Sequence, residues 1–205
     1  MTHPIVTAIE ERRTVTRFDA ARTLTDNEIV ELIGWATRAP SSFNLQNWRF
    51  IAVRSPEAKA RLRPIAWDQP KISDAAVTFI VVGVFADHEA MSDRLNPAVN
   101  AGIMPADLVA GWEEAARNLY YEQNWRARDE AVRSATFAAG HMIFAAHAKG
   151  LGAGPMIGFD ADAVSAEFGL ASNEIPVLLL AVGHPAHGNW PQKPRRPLPE
   201  VTELV

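Results

Sequence analysis

The sequence predicts one α+β domain, and three observations carry that expectation. Two short apolar runs rich in β-formers, Thr78–Phe85 and Pro176–Val182, read as buried strands. A long helical pattern, Asp129–Lys149, lies between them. No linker or internal repeat divides the 205 residues, so 1–205 is read as a single domain.

Taken in order, Ile5–Arg13 reads as a short helix with Pro4 in its first turn. A better-marked helix begins at Thr25, where Thr25 and Glu28 form a capping box. Leu24 and Ile29 occupy the staple positions, and Asp26 adds negative charge to the first turn. Ile29, Leu32, Ile33 and Ala36 repeat at helical spacing, with Pro40 as the stop. Trp48–Val53 is predicted to be a strand, and Pro56–Leu62 a helix started by Ser-Pro. Thr78–Phe85 is apolar at every step, as a strand covered on both faces must be.

The segment 87–126 mixes Asn96-Pro97, Gly102, Met104-Pro105 and Gly111 with Trp112, Tyr120, Tyr121 and Trp125. It reads as a variable lid with some helix. In the long helix, Val132, Ala135, Ala139, Met142 and Ala146 form one apolar stripe, and Phe137, His141 and Phe144 form a second. Two apolar faces place a helix between layers or in a subunit interface. The proline-rich residues 184–205 predict an extended tail.

Composition excludes several chemistries. With no cysteine, the chain has no disulfide, thiolate–metal site or thiol nucleophile. Redox work would therefore need a borrowed cofactor. A net charge of −4 without a basic tract argues against nucleic acid. The longest apolar stretch, Ala75–Ala86, is shorter than a membrane span. The first residues carry acids and no apolar core, so a cytoplasmic location is the expectation. His141 and His147 are six apart, and no histidine set has metal-ligand spacing, so no metal is expected. There is no Gly-x-Ser-x-Gly elbow for a serine hydrolase. The run Gly150-Leu-Gly-Ala-Gly-Pro155 follows a helix and opens a strand, the reverse of a dinucleotide fingerprint. It reads as a helix cap and tight turn.

Three polar blocks remain: Arg12-Arg13-Thr14-Val15-Thr16-Arg17, Pro40–Trp48 with its hydroxyls and amides, and Lys193-Pro194-Arg195-Arg196. Each alone suits a solvated cluster or a turn. Together they supply forked cations for phosphate and hydroxyl and amide groups for a polyol and a ring edge. The order Arg-Arg-Thr-x-x-x-Phe at 12–18, Ala-Pro-Ser-Ser-x-Asn-x-Gln-x-Trp at 39–48 and Gly-Leu-Gly-x-x-Pro-x-x-Gly-Phe-Asp at 150–160 resembles the FMN-dependent nitroreductase family, as does the basic tail before Pro197.

That resemblance implies a three-layer α/β/α sandwich and an intertwined homodimer with FMN at the subunit interface. It makes Arg12, Lys193 and Arg195 the cations on the FMN phosphate and ribityl chain, with Arg13 and Thr14 beside them. Pro40, Ser41, Ser42 and Asn44 become the loop that the second subunit lays against the flavin. Pro155, Met156, Ile157 and Gly158 become the strand end along the ring system, and Lys71 a cation near its pyrimidine end. Either Asp68 or Gln69 stands where an amide meets that ring. One position departs from the family: Thr16 replaces the usual Arg or Lys, with Arg17 next to it. A cation there stabilises the anionic reduced flavin.

The implied activity is ping-pong hydride transfer from NADH or NADPH, through the flavin, to a small aromatic or quinone-like acceptor such as a nitroaromatic. No protein side chain is required as acid or base. The alternatives are a flavoenzyme of the same fold with another reaction, such as dehalogenation or ring oxidation, and a non-catalytic FMN-binding or sensing protein.

Overall fold

A computed structural model describes residues 3–205. In chain order the elements are α1 (Pro4–Glu11), α2 (Asp26–Ala36), β1 (Trp48–Val53), α3 (Pro56–Ile65), α4 (Pro70–Asp74) and β2 (Val77–Val84). There follow α5 (Met91–Asn100), α6 (Leu108–Tyr120), α7 (Asn124–Ala148), β3 (Gly152–Met156), α8 (Ala161–Glu167) and β4 (Glu174–Gly183).

The strands form one sheet in the order β1-β2-β4-β3, antiparallel at every junction. Side chains alternate across a strand, so each apolar run is sorted onto two faces. Val77, Phe79 and Val81 of β2, with Leu180 and Val182 of β4, pack against Leu32 and Ala36 of α2 and Ala135, Ala139 and Met142 of α7. Ile80, Val82, Leu179 and Ala181 face the other way, onto Leu62 of α3, Ile72 of α4 and Val164 of α8. The result is the expected three layers. It also explains why the β2 pattern is continuous rather than alternating, although the sheet is antiparallel: both of its faces carry helices.

Across the β1 side of the sheet, Arg49 donates from Nε and Nη2 to the two Glu174 carboxylate oxygens at 2.7 Å each. These hydrogen bonds hold the Glu174 carboxyl below the usual carboxylate range.

Local signals place most elements. The capping box at α2 is present, with the Thr25 side chain accepting from Glu28 N and Glu28 accepting from Thr25 N at 2.8 Å. β1 has the expected ends. Several expectations need correction. α2 stops at Ala36, four residues before Pro40, through a turn in which Thr37 N donates to Ile33 O. α1 ends at Glu11, short of Arg13. α3 continues past Leu62 to Ile65, tolerating Pro64 in its last turn. α7 begins at Asn124, five residues ahead of the pattern, and its added turn buries Ala127 in a cluster with residues of α5 and α6. α4 and α8 are too short to show a helical period.

Residues 91–120 form two helices, α5 and α6. They close a third apolar cluster of Leu45, Met91, Leu95, Ala116 and Tyr120. The first stripe of α7 is core except for half-buried Val132, whereas Phe137 on the second is 56% exposed and Phe144 is also open to solvent. With Ile5, Trp35 and His141, Phe144 lines an open apolar groove. No helix among the described residues is long and apolar enough to cross a membrane.

Candidate functional site

The first motif leaves α1 and runs extended along β3. Val15 N donates to Ala153 O at 2.9 Å, and Thr14 bridges Ala153 in parallel. This approach is possible because β3 lacks side chains where the segment lies. A Cβ on Gly154 would stand 2.3 Å from the Val15 carbonyl oxygen, and one on Gly152 would meet the Val15 side chain at 2.6 Å. The glycine run is therefore a cap only at Gly150 (φ 71°). Its other two glycines bring two motifs together, which corrects the cap-and-turn reading.

The tail completes the arrangement. Asn189 Oδ1 accepts from Thr16 N at 2.8 Å and Arg17 N at 3.0 Å, while its Nδ2 donates to Arg17 O and Ala186 O. One side-chain amide thus satisfies four backbone groups and fixes the tail to the first motif. Thr14, Thr16, Trp190, Lys193 and Arg195 then line a cleft of about 180 Å³ that has no carboxylate in its wall. Lys193 Nζ lies 4.9 Å from the Trp190 ring centroid. Arg195 donates to Lys193 O at 2.7 Å, which orders the Lys-Pro-Arg turn.

Arg12 and Arg13 do not share this cleft. They line a neighbouring depression of about 470 Å³ with Glu11, His147 and Gly150–Ala153. Arg17 turns away, its guanidinium against Gly188, so it does not stand in for the cation that Thr16 replaces.

A second grouping forms where β3 ends. Gln69 Nε2 donates to Gly158 O at 2.8 Å and Ala66 O at 3.2 Å. Asp68 is exposed and pairs with Arg63 at 3.8 Å, so of the two candidates Gln69 is the one that reaches the strand end. Met156 is buried in the core and offers only its main chain to this region. Pro155 is half-buried and Ile157 is 84% exposed. Trp67 and Asp68 both adopt left-handed backbone (φ 53° and 52°), which lays the Trp67 ring over Gly158. A Cβ on Gly158 would come within 2.9 Å of that ring. Lys71, on α4, is half-buried with no carboxylate in ion-pair range among the described residues. Burial pushes its pKa down from the ordinary lysine value.

The loop Pro40–Asn47 stands apart from both groupings in this chain and packs against α5 and α6. Phe43, Asn44 and Gln46 are all left-handed (φ 50°, 56° and 50°). Leu45 anchors the loop in the third apolar cluster, and Ser41 Oγ accepts from Gln46 N at 2.9 Å. Pro40 and Asn44 are exposed, and Ser41 and Ser42 are half-buried.

Sequence reasoning missed Asn189 and Trp67. Asn189 follows Gly188 in an unpatterned tail, and its partners Thr16 and Arg17 lie more than 170 residues away. Trp67 has only its place before Pro70 as a signal. Of the lid aromatics, Tyr120 is buried, and Trp112 meets Phe43 edge-on at 6.0 Å. Trp125 is exposed beside Arg126. No group of three or more His, Cys, Asp or Glu side chains among the described residues is placed to hold a metal ion.

The chain is 28% identical over 95% of its length, and 95% of the relative's, to Bacillus subtilis YodC, assigned as an NAD(P)H nitroreductase. It superposes on a nitroreductase-assigned protein of Exiguobacterium sibiricum, solved in complex with FMN, with a TM-score of 0.90. That match has 24% identity and covers 100% of this chain and 99% of the other. A Staphylococcus epidermidis protein assigned as an NAD(P)H:FMN oxidoreductase gives a TM-score of 0.89 at 25% identity, covering 98% of this chain and 95% of that one. The sequence model of the nitroreductase family matches residues 9–184, most of the chain and every element from α2 to β4; this protein belongs to the nitroreductase family.

Proposed function

We propose that the protein is an NAD(P)H-dependent FMN oxidoreductase that reduces nitroaromatic, quinone-like or similar electron-poor acceptors. The observation that carries this reading is the cleft built from opposite ends of the chain. Two cations, Lys193 and Arg195, and two hydroxyl residues, Thr14 and Thr16, converge there without a counter-charge in the wall. That donor set suits the phosphate and polyol of FMN. The strand end offers the flat remainder of the molecule a surface at half-buried Pro155 and exposed Ile157, while Trp67 covers the Cβ-less face of Gly158 and Gln69 spends its amide protons on Ala66 O and Gly158 O. FMN, when bound, supplies hydride acceptance and donation, which no side chain of this chain can perform.

The protein's part is position and charge. Lys193 and Arg195 hold the anionic end, joined by Arg12 and Arg13 from the adjacent depression. Pro155, Met156, Ile157 and Gly158 line the ring, Gln69 fixes the strand end, and Lys71 brings an uncompensated cation to the pyrimidine end. With Thr16 at the family's basic position, Lys71 is the cation left to offset negative charge gained on reduction. Donor and acceptor would use the same exposed face in turn, the basis of a ping-pong scheme.

The working unit would be a homodimer. The open groove of Ile5, Trp35 and Phe144 and the exposed Phe137 would be covered by a second copy, and Pro40, Ser41, Ser42 and Asn44 would reach the partner's flavin. Residues 1–205 would fold as one domain, with 87–126 as the lid that selects acceptors and 184–205 as the tail that closes the cleft.

The direct test is purification followed by anaerobic addition of NADH or NADPH. A yellow protein whose flavin absorbance bleaches on addition, and returns with a nitroaromatic or quinone, is the expected result. A flavin that binds but is not reduced would support a sensing role, and a colourless protein that FMN does not stabilise would refute the assignment.

Lys71→Met separates function from stability. Because folding lowers the Lys71 pKa, the unfolded chain binds more protons between the folded and unfolded values, and stability rises with pH across that alkaline window. At neutral pH the buried charge therefore opposes folding. The variant should melt at or above the wild-type temperature in the absence of FMN, yet bind FMN about tenfold more weakly, the value of one charge-assisted contact. Calorimetry and flavin fluorescence titration measure the two effects.

A further inference from the structure

We infer that Tyr120 is a positioning residue that couples the lid to the flavin-facing loop through Ser42. Its phenol donates to Ser42 Oγ at 2.8 Å, joining the last turn of α6 to the start of a loop 78 residues earlier in the chain. Tyr120 is only 8% exposed, and its ring lies edge-on to Phe43 at 6.5 Å and 90°. Burial pushes the phenol above its ordinary pKa, so it remains a donor across the neutral range.

The loop needs such a tether. Phe43, Asn44 and Gln46 all have left-handed backbone, a conformation that persists in non-glycine residues only where surrounding contacts impose it. Within the loop Gln46 N donates to Ser41 Oγ, and from outside it is held by Leu45 buried among Met91 and Leu95 of α5, by the Phe43–Trp112 contact and by the Tyr120–Ser42 hydrogen bond from α6. A hydroxyl that accepts from one partner keeps its own proton for another. Tyr120 thereby leaves the Ser42 O–H available to donate to another partner. The lid and the loop accordingly form one mechanical unit, and a change in the lid reaches the cofactor through Ser42 without α6 touching it.

The inference rests on the assignment of Ser42 to the FMN site, and the test separates the two. Tyr120→Phe removes one oxygen and keeps the ring. With the full-length chain, FMN affinity by fluorescence titration should fall roughly three- to tenfold, the range of one hydrogen bond. KM should rise more for a bulky quinone than for a small one, with kcat for the small one little changed. Combining Tyr120→Phe with Ser42→Ala should give no further loss of FMN affinity beyond Ser42→Ala alone. Additive losses would overturn the coupling. So would a lowered melting temperature of the FMN-free chain with unchanged FMN affinity, since that is the signature of packing alone. Failure of the wild type to bind FMN would refute the functional assignment itself, and this inference with it, before any variant is compared.

Discussion

Gly154→Ala is expected to destabilise the protein by about 2 kcal/mol, the cost of forcing a methyl group into a packed site. It should also weaken FMN binding. The added Cβ would sit 2.3 Å from the Val15 carbonyl oxygen, a backbone atom that no rotamer change can move. The segment must lift off β3, losing the Val15–Ala153 hydrogen bond and carrying Thr14 and Thr16 out of the cleft. Gly111→Ala is the matched control. It lies exposed within α6 with nothing near its added Cβ, so it should be neutral or raise stability by up to about 1 kcal/mol through helix propensity. Thermal or urea unfolding of both variants decides the matter. A Gly154→Ala protein as stable as wild type would show that the first motif does not lie against β3 in solution.

Arg195→Ala and Lys193→Ala are each expected to lower FMN affinity at least tenfold. Each removes a charge-assisted contact to phosphate, worth roughly 1.5–3 kcal/mol. Both side chains are exposed and neither forms an ion pair among the described residues, so the fold should lose little. Arg195→Ala should have the larger structural effect of the two, because its guanidinium also donates to Lys193 O. Titration at two salt concentrations would show the electrostatic part as a gap that narrows at high salt. Unchanged affinity in both variants would move the phosphate to the depression lined by Arg12, Arg13 and His147.

How far the sequence could be read depended on the range of the interactions. The Thr25–Glu28 capping box, the Trp48–Val53 strand and the β2 run are written within a few residues of themselves; the structure has the first two where the pattern put them and β2 one residue earlier, at Val77–Val84 rather than Thr78–Phe85. α4 and α8, at five and seven residues, span too few turns to leave a period. For the candidate site, residue types were legible and their company was not. Sequence order suggested that Lys193, Arg195 and the first motif belong together. It could not show that Arg12 and Arg13 line a separate depression, nor that Gly152 and Gly154 exist to receive Val15. The Tyr120–Ser42 and Gln69–Gly158 hydrogen bonds join residues 78 and 89 positions apart, a distance over which local pattern carries no information.

The Asn189 clamp sets the order in which the protein can become functional. Its carbonyl oxygen and amide nitrogen serve Thr16 and Arg17, which are made 173 and 172 residues before it. During synthesis α1 and the first motif emerge early but have neither β3 to lie on nor Asn189 to hold them. The sheet closes only when β4 arrives, and the cleft only after the tail folds back. A nascent chain thus lacks the cleft of Thr14, Thr16, Lys193 and Arg195, the one proposed to take the FMN phosphate, until residue 195 has been made.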